Sequence, residues 1–313
     1  MAPSRIITLG SINTDLVIKG SRLPAAGETV LGGQFYQASG GKGANQAVAA
    51  ARASRDPVTL IAAVGDDDFG RASLENFARE NLSRDYIRVV PNQASGVALI
   101  LVDDTGQNCI SVASGANMAL TPGDVDAVPD AVFAEARVFL ACLESPLETV
   151  VRGMQRAKQA GLLTILNPAP ADTRLVSTGV LEYVDILTPN ESEAFALIGQ
   201  AVHDEPSAAS AGQALRALGC RSAVVTLGSR GSVVVEDRAN FVHAIDVVAV
   251  DATAAGDAFN GTLAVALSEG RSLPDAARWA NVAAGLSVTR EGAQPSLPSR
   301  EAIEARVTQI AQS

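Results

Sequence analysis

The chain has 313 residues, of which 47% are hydrophobic and only 4% aromatic, and it carries a formal net charge of −10. That length buries a large core in one or two domains, while the acidic balance excludes a general nucleic-acid-binding protein, which needs a basic face. A single bound nucleotide is not excluded, because local amides, a metal and one or two cations hold it whatever the overall charge.

From the N-terminus, Met1-Ala2-Pro3-Ser4-Arg5 leads into a brief apolar run at 6–9 and then polar residues, unlike the long apolar centre of a signal peptide. A cytoplasmic protein is expected. No membrane span is expected either, since apolar runs such as 132–143 and 222–227 are too short or too interrupted to cross a bilayer. Strand-length apolar segments at 6–10, 58–64, 138–142, 162–166, 184–187 and 223–227 alternate with helical patterns. In the helical stretch 147–161, Val150, Val151, Met154 and Ala157 share one face. This alternation predicts an α/β fold, a central mostly parallel sheet flanked by helices.

Two regions break that rhythm. Segments 14–18, 28–31 and 34–38, and then 96–103 with 108–114 around the turn Asp104-Thr105-Gly106, predict antiparallel inserted strands. One domain over 1–313 is expected, with insertions at about 11–39 and 96–116. Helix starts are predicted at Thr121-Pro122-Gly123-Asp124, Ser145-Pro146-Leu147-Glu148 and Thr188-Pro189-Asn190-Glu191, which makes Glu148 and Glu191 caps and not catalysts. Cys109, Cys142 and Cys220 lack metal or disulfide spacing and read as buried thiols. Trp279 reads as a packing residue, and His203 and His243 as solvent-facing.

Two stretches carry the chemistry. In Gly40-Gly41-Lys42-Gly43-Ala44-Asn45-Gln46-Ala47 the glycines run straight into an Ala/Val-rich helix. The spacing is neither a Walker loop nor a dinucleotide fingerprint, since Gln46 stands where the third glycine of the latter belongs. Near the C-terminus, Asp251-Ala252-Thr253-Ala254-Ala255-Gly256-Asp257-Ala258-Phe259-Asn260-Gly261 opens into a second apolar helix. Small residues at Ala254, Ala255 and Gly256 let amides converge at a helix start, where phosphate oxygens are favoured. Asp257, in the first turn, can accept a proton from an attacking hydroxyl. Taken alone, this second stretch is equally an ordinary turn glycine and a carboxylate that complements the helix dipole.

Together the two stretches resemble the two signatures of the ribokinase-type carbohydrate kinases, the phosphofructokinase-B-type family. The resemblance runs along nearly the whole chain, through Gly10-Ser11-Ile12-Asn13-Thr14-Asp15, Leu143-Glu144-Ser145-Pro146, Asn167-Pro168-Ala169-Pro170, Thr188-Pro189-Asn190-Glu191, Thr226-Leu227-Gly228-Ser229-Arg230-Gly231 and Gly292-Ala293-Gln294-Pro295-Ser296, in family order. It implies ATP-dependent phosphorylation of D-ribose at O5, with 2-deoxyribose, a nucleoside or another sugar of the same family as the alternative acceptor. It also implies that the inserted strands form a lid over the sugar, pairing with the lid of a second copy in a homodimer.

Residue by residue, the resemblance implies that Asp257 is the base and Ala254, Ala255 and Gly256 form the anion hole. Asn13, Asp15, Gly41, Lys42, Asn45 and Glu144 match sugar-binding positions, with Lys42 placed at the sugar end. Asn190 and Glu193 match an element that places Mg2+ or another divalent cation and the nucleotide phosphates. Thr226, Gly228, Gly231 and Asn281 match nucleotide contacts, together with Gly256. A K+ site is implied at Asp251, Thr253, Ser287, Arg290, Gly292 and Ser296. Ala252 and Ala258 depart from the threonines common at those positions; the hole is made by backbone, so the activity is expected to survive both.

Overall fold

The structure, a computed structural model, describes residues 5–312. It begins with β1 (Arg5–Leu9), β2 (Asn13–Lys19), β3 (Gln34–Gly40), α1 (Lys42–Ala53), β4 (Val58–Gly65), α2 (Asp68–Phe77), β5 (Leu82–Ser83) and β6 (Ile87–Val90). There follow β7 (Gly96–Val102), β8 (Asn108–Ala113), α3 (Pro122–Asp126), α4 (Asp130–Glu135), β9 (Ala136–Ala141), α5 (Leu147–Gln159), β10 (Leu163–Leu166) and β11 (Ile186–Leu187). The last part holds α6 (Glu191–Ile198), α7 (Glu205–Ala217), β12 (Ser222–Thr226), β13 (Gly231–Val235), β14 (Ala239–His243), α8 (Ala255–Ser268), α9 (Leu273–Ser287) and α10 (Arg300–Gln312).

The main sheet runs β14-β13-β12-β11-β10-β9-β1-β4-β5, with β6 also on β4. It is parallel except for β13 and β14, which pair antiparallel at one edge and were not among the expected strands. Alternation along β1 sends Ile6 into one core, with α1, α8 and α9, and Ile7 into the other, with α5 and α7. Both faces are therefore covered, which is why these strands are apolar almost without interruption. Helices α1 and α8 lie side by side and approach closely at Gly261. A Cβ there would stand 2.5 Å from the Gln46 carbonyl oxygen and 2.7 Å from the Ala49 Cβ. This contact brings the two glycine-containing stretches to one place.

The inserted strands form a second sheet, β3-β2-β7-β8. β2–β3 and β7–β8 are antiparallel as expected, but β2 and β7 pair parallel from Asn13↔Gly96 to Lys19↔Val102. Each of these two strands continues from the end of a parallel strand, β1 or β6, so both set out in the same direction. Segment 28–31 is not a strand. It lies between Gly27 and Gly32, both at positive φ, and Glu28 folds back onto Arg22 and the Ala25 N–H.

Thr121 caps α3 with Asp124 closing a capping box, as expected. The other two caps differ. α5 starts after Pro146, and Ser145 Oγ is buried without a partner among the described residues. α6 is capped by Asn190, not Thr188, whose hydroxyl instead donates to Asn260 Oδ1 at 2.6 Å. Cys142 and Cys220 are buried, but Cys109 is exposed on β8. Trp279 is buried beneath the guanidinium groups of Arg271 and Arg300, and both histidines are exposed. Among the described residues no helix is long and apolar enough to cross a membrane.

Candidate active site

Helix α8 starts from Ala254, whose φ of 60° is a left-handed conformation costing an alanine roughly 1–2 kcal/mol. Backbone strain held at such a point marks a place the surrounding structure over-determines. Ala255, Gly256 and Asp257 form the first turn, where N–H groups lack partners within the helix. The Ala255 N–H leans back on the Ala252 carbonyl at 3.3 Å. A cavity of about 200 Å3 opens at this turn, lined by Ala254, Ala255, Gly256 and Asp257 together with Lys42, Asn190, Glu193 and Thr226.

Asp257 is only 5% exposed. Its Oδ2 accepts from Asn45 Nδ2 at 3.0 Å and its Oδ1 from Gln46 Nε2 at 3.1 Å. Burial raises its pKa above the ordinary aspartate value, against the lowering effects of the Lys42 ammonium and these two amides. Lys42 is held above its own ordinary value: burial works against its charge, but Asp257 and Glu144 outweigh it. Glu144 is fixed in turn by the Ser11 hydroxyl at 2.5 Å and the Lys42 N–H at 3.0 Å. The Lys42 backbone thus meets Glu144, and Lys42 also lines the cavity with Asn190 and Glu193.

Asp15 lies against Gly40, where a Cβ would fall 2.3 Å from either carboxylate oxygen. Burial first, and then the charges of Glu144 and Asp257, raise its pKa to about 7. Asn13 Oδ1 accepts from Asn117 Nδ2 at 2.8 Å, and Asn117 also clamps both polar groups of the Ile12 backbone. Asn13, Asp15, Gly41, Lys42, Asn45 and Glu144 thus gather around the N-terminus of α1 beside Asp257.

Asn190 and Glu193 close a capping box on α6, with the Asn190 N–H on Glu193 Oε2 at 2.9 Å. Thr226 joins them through a bridge to Asn190. Gly228 and Gly231 shape the turn from β12 into β13 and do not line the cavity. Asn281 is buried, donating to the Val242 carbonyl at 2.9 Å, and ties α9 to β14. Asp251 accepts from the Thr253 N–H at 2.9 Å and the Gly292 N–H at 2.8 Å, while its own N–H reaches the Val288 carbonyl. The segments carrying Asp251, Thr253, Ser287, Arg290 and Gly292 are thereby docked together just before the start of α8. Ser287 and Ser296 spend their hydroxyl protons on carbonyls of their own turns, at Ala284 and Ala293.

Gln46, Asn117, Asn167 and Ser11 were not singled out as site residues, although the first, third and fourth stand inside the quoted stretches. Their only sequence signal is an amide or hydroxyl among small apolar neighbours. Among known proteins, the family model described as pfkB family carbohydrate kinase matches residues 3–300. The chain belongs to the pfkB family. Among pfkB relatives, the ribokinase of Haemophilus influenzae is 40% identical over 297 residues, covering 95% of this chain and 96% of its own. The deoxyribokinase of Salmonella typhi is 35% identical over 297 residues, with 95% and 96% covered. The structure of Arabidopsis thaliana ribokinase complexed with ribose and ATP matches at a TM-score of 0.85 and 31% identity, covering 97% of this chain and 98% of that one. The mostly parallel sheet with a small separate sheet is the ribokinase-like fold of this family.

Proposed function

We propose that the protein is an ATP-dependent ribokinase that transfers the γ-phosphoryl group to O5 of D-ribose, giving ribose 5-phosphate and ADP. The observation that carries this reading is the buried Asp257 carboxylate, set between the first-turn amides of α8 and the polar group of Asn13, Asp15, Lys42, Asn45 and Glu144. Asp257 takes the O5 proton as the oxygen attacks, the amides of Ala254 to Asp257 receive the charge on the phosphoryl group, and Lys42 lies between both ends. Asp15, Asn13 and Glu144 hold the ribose hydroxyls, carboxylates suiting vicinal donors. Thr226, Gly228, Gly231 and Asn281 border the nucleotide. The whole chain acts as one kinase domain with the small sheet as lid.

The lid's outer face presents Ile18, Phe35 and Leu99, all exposed and neighbouring through the strand register. A second copy covers them in a homodimer. In this reading the phosphoryl donor is cytoplasmic ATP. Coupled measurement of ADP release across pentoses, 2-deoxyribose, hexoses and nucleosides tests the reading. D-Ribose is expected to give the highest kcat/KM; the deoxyribokinase relative makes 2-deoxyribose the rival acceptor, and a clear preference for it would replace ribose in the assignment.

Asn190 and Glu193 offer the oxygen donors that Mg2+ takes, through water. Bound there, the ion neutralises phosphate charge. K+ fits the docked segments around Asp251, whose carboxylate and neighbouring carbonyls suit a large monovalent cation. Its role is to hold the backbone behind Ala254 to Gly256. Initial rates are therefore expected to rise with potassium chloride at constant ionic strength, balanced by tetramethylammonium, in kcat or nucleotide affinity. Sodium should substitute poorly. A flat response in potassium-free protein removes the ion site and leaves the kinase reading standing.

A further inference from the structure

Thr188 directly follows β11, and its carbonyl oxygen can only accept a hydrogen bond. It accepts from Asn167 Nδ2 at 3.0 Å, which turns Asn167 Oδ1 the other way. That oxygen needs a donor and finds Gln46 Nε2 at 3.0 Å. The same NH2 group reaches Asp257 Oδ1 at 3.1 Å, so both of its protons are committed. Gln46 is 1% exposed and Asn167 6%, so water does not compete for these contacts. The polarity of both side-chain amides, Asn167 and Gln46, is thus set by one backbone carbonyl.

We propose that Gln46, oriented by Asn167 from the Thr188 carbonyl, is a positioning residue for the base: it holds Asp257 Oδ1 and sets the pH at which that carboxylate accepts a proton. The proposal rests on Asp257 being the base. Asn45, on the neighbouring position of α1, holds the other oxygen. Between the two, each carboxylate oxygen keeps one lone pair, and the carboxylate plane is fixed against rotation. The groups facing Asp257 are Asn45, Gln46, Lys42 and, by charge, Glu144, Asp15 and Glu193, with the Cys142 thiol also within its field. Removing the Gln46 donor leaves the buried carboxylate with less support for its charge.

The test is the single-turnover rate of phosphoryl transfer from MgATP to D-ribose, followed against pH in wild type, Gln46→Met, Gln46→Glu and Asp257→Asn. Loss of a hydrogen bond to a buried charge should move the acid limb of the Gln46→Met profile up by about one pH unit and lower its plateau by roughly tenfold. Gln46→Glu, nearly isosteric but carrying a second carboxylate, should move the limb further up. A purely structural role would lower melting temperature and leave the limb in place. Because the position of the limb does not depend on how much protein is folded, a poorly folding Met variant still reports. Limbs unmoved in both Gln46 variants, with Asp257→Asn inactive, would overturn the positioning role alone. Turnover surviving in Asp257→Asn would sink the base reading, and the proposal with it.

Discussion

Asp257→Asn should lose turnover by roughly a hundred- to ten-thousand-fold, the usual cost of removing a positioned base, with ribose binding largely kept. The hydrogen bonds around the residue say how the new amide will sit. Gln46 cannot offer its oxygen, because Asn167 Oδ1 already demands its NH2 group. The oxygen of the new side chain must therefore face Gln46, and its NH2 group must face Asn45. Asn45 then has to turn its amide over and give up the Gln294 Nε2 donor that now lies 3.3 Å from its oxygen. One weak contact is lost, so the fold should survive and the loss of turnover should be chemical. Steady-state kinetics beside ribose calorimetry separates the two. Retention of more than about a tenth of wild-type turnover would remove Asp257 from the base role.

The parts of this site that were legible in sequence are those where backbone does the work. Glycines running into an apolar helix, twice, announce close approach, and Gly261 against Gln46 and Ala49 is where that approach occurs. Asp257 was legible because a helix start fixes where a first-turn side chain can go. The strands of the parallel core were readable from short apolar runs, since both their faces are covered. The register of the small sheet was not, because β2 and β7 lie some eighty residues apart and nothing local states their direction.

Buried amides were the larger omission. Gln46 and Asn167 carry no signature in sequence, because what makes them informative is the direction of each hydrogen bond, and that direction is inherited from the Thr188 carbonyl. Asn117 escaped for the same reason: it sits in a single helical turn far from Asn13 in sequence and acts through Asn13 and the Ile12 backbone. Asn190 and Thr188 show the converse, since a Thr-Pro-Asn-Glu run offers two possible caps and only the folded strand end decides that Thr188 is already engaged.

Asp15→Asn is expected to weaken ribose by roughly ten- to a hundredfold, at about 1.5 to 3 kcal/mol for a lost charged hydrogen bond, with ATP affected little. It should also stabilise the sugar-free protein, and only at high pH. The Asp15 pKa is raised from 3.8 to about 7 by burial and by Glu144 and Asp257. Between those two values the folded protein holds a proton that the unfolded chain has released, so stability falls as pH rises through this range, and the full penalty applies above about 7. Asparagine carries no charge to penalise. Thermal melts without sugar should therefore place the variant above wild type near about pH 8, with the gap closing as the pH is lowered toward about 4. The ionised form accepts hydroxyls from the sugar best, so kcat/KM for ribose should also decline below about pH 7 in wild type, and the part of that decline due to Asp15 should vanish in Asp15→Asn. Equal losses for ribose and ATP would contradict the placement of Asp15 at the sugar. A melting difference that does not change with pH would show instead that Asp15 carries no desolvated charge, and that the protein does not trade stability for sugar recognition at this position.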